Sequence, residues 1–493
     1  MTEKNLTGGI RVRFAPSPTG YLHIGGLRTA LFNYLFALKQ EGKFILRIDD
    51  TDKARSKKEY EDAIENDLKW FDIKWDEFYR QSERTKVYEK YLNILKENGF
   101  VYECFCTQEE ILKSKELAIK SKRPYIYNGR CAELSPIEKE SLRLSLKEKG
   151  RYPSIRLNIA KVLSKDAGFN SIEFNDAVHG RLVFNPKLIG DFILKTEDNR
   201  FAYNFASIID DYDMNITHVI RGEDHISNTP KQILILKALG KEPPVFAHIS
   251  LLYGSDGKIM SKRDMASNIQ YYKEEGYLPE AVLNYLAVIG NTFTVHECKD
   301  GKKITFEKEI FSGISEMAGL FDITKAKGSS AIFNEDKLRF INEKRLNALP
   351  DAELINIITQ KFGGKPLMDR LKEAYSGNSH LEIIDFLKKE FKTIKEILKE
   401  LDMFFDGYKI DLNGVYYDHE LKSALLYKIK NVSDFNENSL KNIIKETASE
   451  NNKTVKECYE TLRLLITGRL DGPSILKIIG FLGKKTVIDR LSV

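Results

Sequence analysis

Arg11-Val12-Arg13-Phe14-Ala15-Pro16-Ser17-Pro18-Thr19-Gly20-Tyr21-Leu22-His23-Ile24-Gly25-Gly26 decides how this chain folds. From Ile10 to Phe14 apolar and basic residues alternate, the period of a β-strand. Two prolines and small polar residues then break the strand. Apolar residues resume at Leu27, Ala30, Leu31, Tyr34, Leu35 and Leu38, which is helical spacing. His23, Gly25 and Gly26 therefore fall where a strand turns into a helix. A helix N-terminus offers unpaired N–H groups and the positive end of the dipole, which suits phosphate. Glycines there let the backbone approach a ligand closely. An ordinary strand–helix turn has the same pattern, so this segment alone leaves both readings open.

A second segment, Gly257-Lys258-Ile259-Met260-Ser261-Lys262-Arg263, sets three cations around a serine in a glycine-containing loop. Such cations stabilise charge that develops on a transferring phosphoryl group. A solvated basic loop is the plain alternative.

Together the two segments resemble the HIGH and KMSKS motifs of class I aminoacyl-tRNA synthetases. The likeness narrows to the glutamyl-tRNA synthetase family. Arg47-Ile48-Asp49-Asp50-Thr51-Asp52 resembles that family's RIEDTD motif, and Tyr203 to His225 follows its second half-site. The resemblance runs on through Phe321 to Asn342 and to Thr467-Gly468-Arg469, nearly the whole chain. There are three departures. Gly26 ends HIGH in place of His, as is usual in this group. Ile259 replaces the first Lys of KMSKS, which leaves Lys258 to supply that charge. Asp49 replaces the more common Glu, one methylene shorter toward a substrate amino group.

The resemblance implies an α/β fold: a Rossmann-type doubly wound parallel sheet split by an insertion, followed by an all-α C-terminal domain. It implies a catalytic nucleotide-binding domain over 1–95 and 201–255, an acceptor-binding insertion over 96–200, a stem-contact region over 256–345 and a helical anticodon-binding domain over 346–493. The residues agree in part. Strand–helix alternation up to about residue 95 predicts a parallel sheet, with Phe44–Ile48 as its second strand and Ser154–Leu157 as a strand within the insertion. Phe201–Asp211 and Thr217–Arg221 are expected to rejoin the sheet, and a helix is expected over Pro230–Leu239. The tail has helical apolar spacing, for example Leu381, Ile384, Phe386 and Leu387. Without the resemblance that tail reads equally as a stabilising helical domain.

The implied reaction joins L-glutamate to tRNA(Glu) in two steps. The α-carboxylate attacks the α-phosphorus of ATP to give glutamyl-adenylate and pyrophosphate, and a terminal ribose hydroxyl then takes the glutamyl group, releasing AMP. This needs positioning and charge neutralisation more than a general base. His23 and Lys262 are the implied catalytic residues. Thr19, Gly20, His23, Gly25, Gly26, Asp224, Met260, Ser261, Lys262 and Arg263 are the implied ATP contacts, with Mg²⁺ on the phosphates. For glutamate the implied set is Arg13, Ala15, Ser17, Asp49, Tyr203 and Arg221. Arg13 leads for the γ-carboxylate, because a guanidinium fork binds carboxylate through two bonds and offers no acceptor to an amide. Ser17 and Asp49 are placed for the amino group, and His225 for the pocket wall. Ser207 stands where the family often has Asn.

Cys104, Cys106 and Cys131 resemble a zinc knuckle carried by some family members, with Tyr127 or Glu133 as fourth ligand; a metal-free remnant is the alternative. Cys298 and Cys458 read as structural. Five cysteines in 493 residues make no disulfide framework. The chain lacks an apolar run of about 18 residues or an apolar signal core, so no membrane span and a cytoplasmic location are expected. Net charge is +5, too mild by itself to establish a nucleic-acid partner. No obligate protein partner is implied, and the family suggests a monomer. Relaxed charging of tRNA(Gln) stays open. The competing readings are a glutaminyl-tRNA synthetase, whose tail is usually β-barrel, a small-molecule nucleotidyltransferase, and a non-catalytic tRNA-binding paralogue.

Overall fold

The computed structural model describes residues 9–165, 171–260, 265–299, 302–375, 377–412 and 415–492. The chain divides into two compact units, one of residues up to 271 with 283–335, the other of 272–282 with 336–493. No described helix is long and apolar enough to cross a membrane.

The first unit is built on parallel strands. β1 (Arg11–Phe14) pairs with β2 (Lys43–Ile48), and β2 with β3 (Glu77–Arg80), all parallel. Helices α1 (Ile24–Lys39), α2 (Lys58–Trp70) and α3 (Thr85–Glu97) follow the three strands in turn. Every residue of β2 after Lys43 is buried, as expected of a strand covered on both faces. The insertion follows, with β4 (Val101–Cys104), helices α4 (Gln108–Lys120) and α5 (Pro136–Glu148), β5 (Ser154–Leu157) and the short α6 (Ile159–Ser164). Then come β6 (Ile172–Asp176), β7 (Gly180–Phe184), β8 (Ile193–Lys195), α7 (Tyr203–Asp213), β9 (His218–Gly222), α8 (Thr229–Ala238) and β10 (Val245–Ile249). β4, β5 and β8 form an antiparallel sheet. A second sheet has the order β7-β6-β10-β9. The Thr217 N–H donates to the Arg11 carbonyl at 2.9 Å, which sets the start of β9 beside β1.

Two expectations are corrected here. Tyr203–Asp213 is a helix, not a strand rejoining the sheet. Phe201, Tyr203 and Phe205 alternate like a strand, but Phe205, Ile208, Ile209 and Tyr212 follow the helical period, and the buried Phe205, Ile208 and Ile209 pack into the main core. The second correction concerns the insertion. β6 lies within 96–200 yet pairs in parallel with β10, Asp176 opposite Phe246. The β6–β7 hairpin therefore belongs to the sheet that carries β9 and β10. Residues 256–345 are also divided: 272–282 and 336 onward group with the second unit. That unit is helical from Asp351–Lys361 to Ile475–Ser492, with a buried apolar set that includes Leu354, Ile384, Leu425, Ile444 and Leu462.

Candidate active site

β1 ends at Phe14, and the loop from Ala15 to Leu22 leads directly into α1. His23 is the N-cap of α1: its extended backbone turns the chain, and its Nδ1 accepts from the Gly26 N–H at 3.0 Å. Accepting at Nδ1 leaves the imidazole proton on Nε2 in the neutral ring. The two glycines are needed for close approach rather than for unusual backbone angles. A Cβ on Gly26 would come within 2.9 Å of Leu22 Cδ1, and one on Gly25 within 3.2 Å of His23 Nδ1.

The second motif approaches the same place. Leu252 to Met260 form a tight hairpin in which the Gly254 N–H donates to the Lys258 carbonyl and the Met260 N–H to the Leu252 carbonyl. Gly257, at φ +74°, supplies the left-handed residue of its turn. Ser261, Lys262 and Arg263 lie outside the described residues. The segment just after them returns to the first motif, where Asn268 forms an isolated antiparallel bridge with His23. Lys258 is exposed and faces Asp256 at 3.6 Å.

A cleft of about 350 Å³ opens between these segments and the ends of β1, β9 and β10. Arg13, Ala15, Ser17, Tyr203 and Arg221 of the expected glutamate set line it. So do Thr19, Gly20, His23, Gly25, Gly26, Asp224 and Met260 of the expected ATP set, together with His225. Asp49 is not on its wall. Asp49 is 5% exposed and its Oδ1 accepts from Arg47 Nε at 2.7 Å. Burial pushes its carboxyl up to about 6, against the pull of Arg47.

The arginines differ sharply in their partners. Arg13 Nε and Nη2 donate to the two carboxylate oxygens of Asp211 at 3.0 and 3.3 Å, so its charge is already matched. Asp211 also accepts from Arg47 Nη1 at 2.7 Å. Burial would raise Asp211, but Arg13 and Arg47 outweigh it and hold the carboxyl below its ordinary range. Arg47 Nη2 donates to the Ser207 hydroxyl at 3.3 Å. The adjacent Asp210 takes hydrogen bonds from Gln81, Arg84 and Tyr88.

Among the described residues, Arg221 has no carboxylate partner. Its Nε donates to His248 Nε2 at 3.1 Å, and its Nη2 to the Thr229 hydroxyl at 2.7 Å and Gln232 Oε1 at 2.9 Å. Its Nη1 is buried without a hydrogen-bond partner. Burial lowers its pKa, the mark of a cation short of compensating charge. Beside it the Tyr203 hydroxyl and His225 Nδ1 lie 3.0 Å apart, and burial pushes His225 down to about 4, so that ring is neutral near pH 7. Sequence reasoning missed Arg28, 1% exposed on the cleft wall, whose Nε and Nη2 also lack partners. Burial lowers Arg28 to about 10 against the pull of Glu223. The signal was an arginine at position 28 among apolar residues on the buried side of α1.

In the insertion, the sulfurs of Cys104, Cys106 and Cys131 all lie within 4.8 Å of one another. The Tyr127 hydroxyl is 3.4 Å from Cys104 Sγ and 3.2 Å from Cys106 Sγ. Glu133 is exposed and stands outside this group. Hydrogen bonds from Cys104 and Tyr127 pull the Cys131 thiol down to about 4, despite burial. Three sulfurs and a phenol oxygen at this spacing suit a tetrahedral zinc ion.

Residues 9–340 match the family model of class I tRNA synthetases (E and Q), catalytic domain, and residues 362–493 match an anticodon binding domain. The chain therefore belongs to the class I tRNA synthetases of the E and Q group. A glutamate–tRNA ligase of Aquifex aeolicus is 38% identical over 98% of both chains, and one of Bacillus licheniformis is 37% identical over 98% of both. A crystal structure of a glutamate tRNA ligase from Elizabethkingia meningosepticum, in complex with its amino acid, covers 98% of both chains with a TM-score of 0.79 at 29% identity. Within its class, the chain falls among the glutamate–tRNA ligases.

Proposed function

We propose that the cleft activates L-glutamate with ATP and passes the glutamyl group to tRNA(Glu). The observation that carries this reading is Arg221, a buried cation aimed into the cleft with no carboxylate of its own. A substrate carboxylate is its natural complement. Arg13 then acts beside it as a fixed donor whose charge Asp211 already balances, and Tyr203 contributes its hydroxyl. Ser17 and Ala15 shape the site of the amino group. Asp49 acts from behind the wall by fixing Arg47, which in turn holds Asp211, the partner of Arg13.

ATP lies across the N-terminus of α1. Thr19, Gly20, Gly25 and Gly26 give the phosphates close access to backbone N–H groups, and His23, its Nδ1 tied to Gly26, directs a proton on Nε2 toward them. Asp224 and Met260 face the nucleoside. Ser261, Lys262 and Arg263 complete the neutralisation, to which Mg²⁺ accompanying ATP would add positive charge. The α-carboxylate oxygen attacks the α-phosphorus and pyrophosphate leaves. The terminal ribose hydroxyl of tRNA then attacks the acyl carbon, and AMP leaves. Both steps run on positioning and charge.

Residues 96–200 are assigned to acceptor-end binding, 256–345 to the tRNA stem and the helical unit to the anticodon. The Cys104, Cys106, Cys131 and Tyr127 group would hold zinc as a structural brace for the insertion, far in sequence from His23. The enzyme is placed in the cytoplasm, where ATP and tRNA are at hand.

Amino-acid-dependent pyrophosphate exchange, with and without tRNA, tests the reading. Exchange driven by glutamate, dependent on tRNA and weak with glutamine, is expected. Exchange driven equally by glutamine would favour the glutaminyl alternative, and none with either amino acid would sink the assignment.

A further inference from the structure

Arg221 is held by three acceptors, and all three are neutral. One of them, His248 on β10, is fully buried and meets a carboxylate on its far side: His248 Nδ1 lies 2.6 Å from Asp176 Oδ2. Asp176 ends β6 and is tied down by backbone donors. Its oxygens accept from the Val178 N–H at 2.9 Å, the His179 N–H at 3.0 Å and the His248 N–H at 3.2 Å. A carboxylate cannot donate, so the proton between them sits on His248 Nδ1. In the neutral ring Nε2 is then bare, and it faces the Arg221 Nε–H at 3.1 Å. The opposite tautomer would set two donors against each other. Thr229 completes the arrangement: its hydroxyl accepts from Arg221 Nη2 and lies 3.1 Å from His248 Nε2. Phe246 underlies both groups, its ring centroid 5.5 Å from the Arg221 guanidinium and 6.1 Å from the His248 ring.

We propose that His248, locked in its Nδ1–H tautomer by Asp176, is a positioning residue that aims the Arg221 guanidinium at the substrate carboxylate while leaving its charge unspent. The inference rests on the reading of the cleft as a glutamate site. An aspartate in direct contact with Arg221 would orient it equally well but neutralise it, as Asp211 does for Arg13. An imidazole placed between arginine and carboxylate gives directional control through a neutral acceptor. It also ties the pocket to β6, so a strand from within residues 96–200 helps set the amino acid site.

The test is steady-state kinetics of the full-length enzyme with tRNA, varying glutamate and ATP separately. His248→Asn keeps a donor near the Nδ1 position but has no atom to accept from Arg221. His248→Gln reaches toward the Nε2 position with a carbonyl oxygen. Asp176→Asn keeps the volume and releases the tautomer. H248N is expected to raise the glutamate KM about ten- to a hundredfold, the scale of one hydrogen bond to a charged group. Its ATP KM should stay within about twofold and its kcat at saturating glutamate should be nearly unchanged, since uniform binding is what is lost. H248Q should recover most of the loss, and D176N should shift the glutamate KM in the same direction as H248N. An unchanged glutamate KM in H248N overturns the proposal. So does a parallel rise in both KM values, or a loss in H248Q as large as in H248N, because a packing role predicts those outcomes. If H248N does not fold, D176N and H248Q decide by the same criteria. A wild-type enzyme with no glutamate-dependent exchange would overturn the substrate reading itself, and the proposal with it.

Discussion

Replacing Arg221 with Met is expected to separate substrate binding from stability. The side chain is 5% exposed and lines the cleft, keeps three neutral hydrogen-bond partners and has one buried nitrogen without a hydrogen bond. Met retains most of the volume and removes the charge. A substrate carboxylate then enters a buried site without its partner, a loss of about 3–5 kcal/mol. That corresponds to a glutamate KM raised on the order of 10²- to nearly 10⁴-fold. The unliganded protein should scarcely notice. Burial already disfavours the Arg221 cation in the folded state, so removing it offsets the loss of its hydrogen bonds to His248, Thr229 and Gln232, and the melting temperature should move by no more than a few degrees. Asp211→Asn is the contrast: it leaves Arg13 and Arg47 short of a buried acid and should destabilise by about 3–5 kcal/mol. Thermal melts across a glutamate titration read both effects. Wild type gains about 2.7 kcal/mol at a hundred times Kd, and R221M should gain nothing over that range. If R221M binds glutamate within about threefold of wild type, and an Arg13 variant loses binding while staying folded, the charge argument is wrong and Arg13 is the anchor.

Lys262→Ala should lower kcat and kcat/KM alike by on the order of 10²-fold or more, as for a group that acts in the transition state; an unchanged kcat with a raised ATP KM would assign it to ground-state binding. Protein purified without chelator should carry about one equivalent of zinc, and Tyr127→Phe should retain less; under about a tenth of an equivalent in wild type would mark the knuckle as metal-free, since closed thiolate sites hold their metal. Half-buried His225 should make the fold acid-sensitive: its folded pKa, about 4, lies below the unfolded value of 6.5. Its stabilising contribution is therefore complete above pH 6.5 and lost as pH falls from there toward 4. Melts from pH 7.5 to 4.5 should show a shallower decline in His225→Asn; identical slopes would mean that His225 titrates normally.

The turn from β1 into α1 was legible because its logic is local. A strand, two prolines and a helical apolar period fix the Ile10–Leu38 turn within one stretch of chain. His23 as N-cap follows from its place before that period. The acid–base matching was not legible. Arg13 and Asp211 are 198 residues apart, and Arg47 and Asp211 are 164 apart. Their pairing depends on β1, β2 and α7 meeting, which no window of sequence displays. The strand reading of Phe201–Asp211 failed for a related reason. Its first residues carry both periods, and burial of Phe205, Ile208 and Ile209 against the core selects the helical one. β6 escaped notice because its partner, β10, follows it by about 70 residues.

Position along a motif shows which arginines are near the pocket, but charge matching shows which are available. Among the described residues, one cluster sets Arg13, Arg47 and Arg84 against Asp49, Asp210, Asp211 and Asp213, so each cation has at least one carboxylate partner. Cations matched in this way hold the cluster's shape and attract little. Arg221 and Arg28 lie outside that balance, each hydrogen-bonded only to neutral acceptors, and both line the cleft. An unpaired buried cation costs the fold free energy, and it is tolerated where an incoming anion relieves that cost. On the proposed reading, the two arginines without a carboxylate partner among the described residues are where a substrate carboxylate would complete an ion pair that the chain itself omits.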